Sequence, residues 1–184
     1  YAGSIWYGHG TLGEKLVMAI QGSNKVTVDG DGLKFNNDTA AANALSDYEE
    51  GTWTPVFGGT STIGTYTYGE QQGHYVKIGS QVTVWFNLTN IATVTEATGN
   101  MRITGLPFTI NWQSGFNGEA TGQLNMAGFT GLDGDTVWGQ VPDGATHINV
   151  YFNSGTNNDT NALSVTSKTG NSSDVRGFAT YMAD

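Results

Sequence analysis

The chain contains no cysteine, only 3 prolines among 184 residues, and only 7 Lys+Arg against 16 Asp+Glu. Without cysteine there are no disulfides and no thiolate metal ligands, so stability has to come from burial, with oligomerisation as a further source. A formal charge of −9 argues against a nucleic-acid partner, which is held by Lys and Arg neutralising phosphates. No run of about 18 apolar residues is present, so no membrane insertion is expected. No basic segment leads into an apolar stretch, so no secretory leader is expected in these residues. Charged residues are only 12%, where an ordinary soluble domain has roughly 25%. The surface must therefore be built from small neutral polar groups.

What replaces the charge is 25 Thr, 16 Asn, 11 Ser and 27 Gly. With 21 aromatics the chain is too apolar to be disordered. Thr, Val, Ile and aromatic residues between Gly, Asn and Asp are the composition of strands and turns. Alternation supports this. In Gln81–Thr89, Val82, Val84, Phe86 and Leu88 share one face and Thr83, Trp85, Asn87 and Thr89 the other, the period of a half-buried strand. Thr146–Phe152 repeats it, with Ile148, Val150 and Phe152 against His147, Asn149 and Tyr151. Further strands are predicted at Lys15–Ile20, Lys25–Val28, Thr52–Phe57, Thr65–Tyr68, Gly73–Lys77, Met101–Thr104, Glu119–Met126, Thr136–Val141, Ala162–Thr166 and Val175–Met182. Asp31-Gly32, Gly58-Gly59, Asn117-Gly118, Asp133-Gly134 and Asp143-Gly144 read as turns between strands. Many short strands at this spacing predict an all-β, antiparallel, jelly-roll-like sandwich.

The Ala-rich stretch Thr39–Asp47 is too short for a stable isolated helix and reads as a linker or a single helical turn. It divides the chain into residues 1–46 and a head, residues 47–184. Residues 1–46 hold roughly three short strands, too little for a core of their own. They must pack on the head or on copies of themselves. Leu16, Met18, Ile20, Val26 and Val28 are the expected inter-chain residues.

Little points to catalysis. His9, His74 and His147 have no second ligand at metal-binding spacing, and no Gly-x-Ser-x-Gly elbow exists. Glu49-Glu50 is the one adjacent carboxylate pair, but neighbours on a strand point to opposite faces rather than to one sugar. Asp29-Gly-Asp31 and Asp133-Gly-Asp135 open like calcium loops, yet both lack the later oxygen ligands and read more simply as turns. An irregular calcium site on Asp133 and Asp135 stays open. No catalytic residue, cofactor or metal is assigned. What remains is a polar β surface dotted with aromatics. Trp112, Phe116, Asn117, Asp133, Asp135 and Trp138 lie beside turn signals, where a flat ring can support a sugar and Asn or Asp can fix its hydroxyls. Core packing is the competing reading for each Trp. The polar stretch 153–161 is the next candidate.

One segment is far more specific. Residues 45–55, LSDYEEGTWTP, resemble a signature of bacteriophage tail-fibre and receptor-binding structural proteins, marine and cyanobacterial ones especially. Glu14–Lys34 is similar to the shaft segment of that family, Gly73–Val84 and Met101–Phe108 to two further segments, and Val175–Met182 to its closing strand. Residues 109–174 match least. The resemblance implies a homotrimer, with a slim β shaft followed by β-sandwich heads, attached to upstream shaft and other virion proteins and located in the virion. It further implies a non-enzymatic adhesin for a bacterial surface receptor, expected to be a glycan. The alternatives are a tailspike-like polysaccharide depolymerase, which needs clustered carboxylates, and a purely structural virion or capsid-decorating protein.

Overall fold

In the computed structural model four antiparallel strands come first: β1 (Gly3–Gly8), β2 (Lys15–Ile20), β3 (Ser23–Asp29) and β4 (Gly32–Phe35), in the order β1-β2-β3-β4. The structure describes residues 2–9, 13–111, 120–132, 135–153 and 160–183. β1 was not among the predicted strands, so the described part of residues 1–46 holds four strands where roughly three were expected. Val17, Ala19, Thr27 and Lys34 are buried on one face of this sheet. The chain then makes a single 3-10 turn at Ala41–Asn43 and returns beside β4 through a Leu33–Leu45 bridge. Asp38 holds that turn by accepting from the Ala40 amide and the Asn43 side chain.

The chain divides into two compact units, Tyr1–Glu49 and Glu50–Asp184. The remaining strands are β5 (Tyr48–Trp53), β6 (Val56–Gly59), β7 (Thr65–Thr67), β8 (Glu70–Ile78), β9 (Gln81–Thr95), β10 (Met101–Thr104), β11 (Ala120–Ala127), β12 (Thr136–Val141), β13 (His147–Asn153), β14 (Thr160–Ala162) and β15 (Ser173–Met182). They run β5-β8-β9-β15-β11-β12-β13-β10-β6, with β7 on β9 and β14 on β13. Neighbouring strands pair antiparallel, and no α-helix occurs among the described residues.

β11 makes this one path into a sandwich. Its first half, Ala120–Gln123, pairs with β12, and its second half, Leu124–Ala127, pairs with β15. A strand that changes sheets forms a corner. At that corner a Cβ on Gly122 would stand 2.0 Å from the Phe178 carbonyl oxygen, so only glycine fits. The path also curls back: its edge strands β5 and β6 are separated only by Thr54 and Pro55. The two faces enclose one core containing Phe57, Val84, Leu88, Ile103, Ile148, Val150 and Tyr181.

β9 carries the predicted face: Val82, Val84, Phe86 and Leu88 are all buried, while Trp85 is 45% exposed. The alternation slips at Asn90, whose φ is 48°, so that Ile91 rather than Asn90 enters the core. The partner β15 shifts register there, and Asp174 accepts from the Asn90 amide at 2.9 Å. This is a β-bulge with its loose amide satisfied.

Three local expectations need correction. The predicted strand Thr52–Phe57 is two strands, because Pro55 has no N–H for a ladder. Gly58-Gly59 is no turn but the buried end of β6, where a Cβ would meet Ile63 or the Thr98 carbonyl. Ala162–Thr166 is the end of β14 followed by a 3-10 turn at Val165–Ser167, started by Ser164 Oγ accepting from the Thr166 amide.

Candidate functional site

Of the six residues singled out from sequence, Trp112, Phe116, Asn117 and Asp133 lie outside the described residues. Asp135 is half-buried just before β12. Trp138 is on β12. Because Val137, Gly139 and Val141 turn into the core, Trp138 and Gln140 take the outer face. On β13 Ile148 and Val150 face inward, and His147, Asn149 and Tyr151 face outward. On β10 Met101 and Ile103 are buried, leaving Arg102 and Thr104 outside.

Register assembles these outer residues into one platform. Trp138 pairs with Tyr151, and the two rings stack with centroids 5.1 Å apart and 21° between planes. Asn149 pairs with Gln140 on one side and with Arg102 on the other. His147 pairs with Thr104. Adjacent strands are about 4.8 Å apart and alternate residues roughly 6.8 Å, so the platform is large enough for a short oligosaccharide. It offers a half-exposed aromatic surface bordered by amides, an imidazole and a guanidinium. Alternation exposed Tyr151, His147 and Asn149 as one sequence face, but nothing local pointed to Arg102 or to the pairing with Trp138.

Arg102 Nε is buried with no hydrogen-bond partner. Burial and the neighbouring Arg102 charge lower the pKa of His147, partly offset by a hydrogen bond to Asn149. His147 is therefore favoured in its neutral form. Arg176 on β15 is the contrast. It donates to Asn87 at 2.8 Å and to Asp174 at 2.9 Å, and Asn87 in turn donates to Glu70 at 2.6 Å.

A second surface surrounds β7. A cleft of about 510 Å³ is lined by Tyr66, Thr93, Glu96, Thr166, Lys168 and Asn171 among others. Lys168 is committed there, donating to Thr93 Oγ1 and the Gly170 carbonyl. A neighbouring hollow of about 660 Å³ shares Tyr66 and adds Tyr68 and Gln71. Both tyrosines are anchored to the core: the Tyr66 ring meets Phe57 edge-on at 4.8 Å, and the Tyr68 hydroxyl accepts from the Phe57 amide.

In the first unit, Lys34 Nζ occupies the calcium-like Asp29-Gly-Asp31 turn, 3.0 Å from Asp29 and 2.5 Å from Asp31. The Lys34 hydrogen bond and the Asp31 amide hold Asp29 below its ordinary carboxylate value. Among the described residues, no three His, Asp or Glu side chains are grouped to hold a metal ion, and no helix is long and apolar enough to cross a membrane. The other face of this sheet is apolar and open. Ile5, Tyr7, Leu16, Met18, Ile20, Val28 and Phe35 all expose between 44% and 68% of their surface. The pairings Ile5–Met18, Tyr7–Leu16, Leu16–Val28 and Val26–Phe35 make them contiguous.

No known family model matches the chain, and no curated protein matches it. Among solved structures the chain resembles the crystal structure of the Dettilon tailspike protein, with a TM-score of 0.51 and 18% identity. The match covers 72% of this chain and 23% of the tailspike chain, so this chain spans a minor part of that protein's length. At that identity the likeness is one of fold: the described β architecture is shared with part of a tailspike.

Proposed function

We propose that this chain is part of a bacteriophage tail fibre or tailspike, and that its Glu50–Asp184 unit is a non-enzymatic adhesin for a bacterial cell-surface glycan. The observation that carries this reading is the Trp138–Tyr151 stack on the outer sheet face, bordered by Gln140 and Asn149. Sugars bind through C–H groups laid on aromatic faces and through hydroxyls bonded to amides. The resemblance of residues 45–55 to a tail-fibre signature and the fold likeness to part of a tailspike support a place in the virion tail. The residues lining the platform include no carboxylate pair, whereas glycoside hydrolysis needs two carboxyl groups flanking one bond.

The apolar face of the first unit supports assembly. A contiguous apolar patch of this kind marks an interaction surface. In this reading three copies pair these faces in a shaft and present three heads, so that weak sites combine through avidity. The test is binding of the purified protein to host cells, with release of reducing sugar from the host polysaccharide followed in parallel. Saturable binding without sugar release is expected. Sugar release would make the protein a depolymerase, and absence of cell binding would leave it a structural virion component.

A further inference from the structure

Resting on that reading, we propose that the glycan is acidic, and that Arg102 binds a sugar carboxylate while the adjoining ring lies on Tyr151 and Trp138. The lysines and arginines of the Glu50–Asp184 unit are Lys77, Arg102, Lys168 and Arg176. Lys77 is buried at 6% exposure and faces the Phe108 ring. Lys168 is bound to Thr93 and the Gly170 carbonyl. Arg176 is held by Asp174 and Asn87. Arg102 differs from all three, because its Nε is buried with no partner and no ion pair among the described residues includes it.

The guanidinium of Arg102 is only partly buried and has no protein partner among the described residues, so an anion with two oxygens satisfies it most readily, reaching its open side rather than the buried Nε. The location favours a sugar carboxylate over a solitary ion. Arg102 lies directly across from Asn149, Tyr151 is two residues further along the same face, and Trp138 stacks on Tyr151. The step from Arg102 to Tyr151 is one strand and two residues, about 8 Å by strand geometry. A carboxylate at Arg102 therefore leaves the ring that bears it, or the next one, above the aromatic pair. In a chain with formal charge −9, selecting an acidic ligand requires such a locally uncompensated cation.

The test is an array of matched pairs: oligosaccharides containing glucuronic or galacturonic acid, and the same oligosaccharides with the carboxyl groups reduced to alcohols. The unaltered protein should retain the acidic member of a pair about tenfold or more over its reduced partner, the size of a charge-assisted hydrogen bond. Arg102→Gln should abolish that preference and Arg102→Lys should keep part of it, with thermal melting confirming that both variants are folded. Equal retention of acidic and reduced members, or a preference that survives in folded Arg102→Gln, overturns the acidic-ligand proposal and leaves the adhesin reading standing. Retention of no member of either kind, with no host-cell binding, overturns both. If Arg102→Gln fails to fold, the Arg102→Lys ratio and the salt dependence of the unaltered protein decide: an acidic preference that does not fall with added salt overturns the proposal.

Discussion

Trp138 and Tyr151 stack across the β12–β13 ladder, ring centroids 5.1 Å apart, on the face of the sheet turned away from the core. Neither ring is needed to fill the interior, which Val137, Ile148 and Val150 occupy from the opposite side of the same strands. Trp138→Ala should therefore cost stability only about 0.5–1.5 kcal/mol beyond the contact area lost. Host-cell binding should weaken by about 1–3 kcal/mol, as for an aromatic anchor at an interface. Titrated cell binding and urea unfolding of the same variant separate the two effects. Unchanged binding would move the recognition surface to the Tyr66 clefts or to residues 153–161.

Phe86 is 5% exposed, and its ring meets Trp53 edge-on at 5.9 Å. Phe86→Ala should cost about 3–5 kcal/mol in denaturant unfolding. Thr83, on the opposite face, shares a 3.0 Å hydroxyl contact with Thr180. Thr83→Ala should cost only about 0.2–1 kcal/mol, the worth of one cross-strand pair. Equal costs would mean that the two faces of β9 are buried alike.

Met18 lies centrally on the open apolar face, between Ile5 and Val26 in register. A charge there meets no partner if a second chain covers the face. Met18→Glu should convert the assembly to smaller species in sedimentation, while a variant at exposed Asn125 should not. An unaltered protein that sediments as a monomer at micromolar concentration would remove the shaft role of this face.

The pKa of His147 is lowered, first by burial and then by Arg102. The unfolded chain therefore binds its proton more readily than the folded one. Stability from this group is complete above the ordinary imidazole pKa of about 6.5 and declines as pH falls from there through the lowered folded value. Melting temperatures recorded from pH 7.5 to pH 5 should fall less in His147→Gln than in the unaltered chain. A parallel fall in both would show that other groups control the acid limb.

Much of the architecture was legible because a strand's period of two survives without tertiary information. Lys15–Ile20, Met101–Thr104 and Thr136–Val141 have the bounds predicted for them, and the buried face of β9 is the alternating one. Gly51 and Gly73, which lie in two of the segments that carry the tail-fibre resemblance, also have a local role in the structure. A Cβ on Gly51 would stand 2.8 Å from the Tyr75 ring, and one on Gly73 would stand 2.6 Å from Trp53 Nε1. Each glycine thus makes room for the aromatic residue of the other segment on the neighbouring strand.

Pattern along the chain could not reach relationships made across it. The exchange of partners within β11, the slip at Asn90 and the placing of the consecutive strands β5 and β6 at opposite ends of the strand order depend on which strands become neighbours. Local composition carries no record of that choice. The same holds for the candidate site. Alternation placed His147, Asn149 and Tyr151 on one face of one strand, a property of residues close in sequence. Their combination with Trp138, and with an Arg102 lying 47 residues before its partner Asn149, exists only because β10, β13 and β12 lie side by side. Composition and period decide what each strand buries; the pairing order decides which outward side chains stand together, and that order is fixed by how the whole core closes.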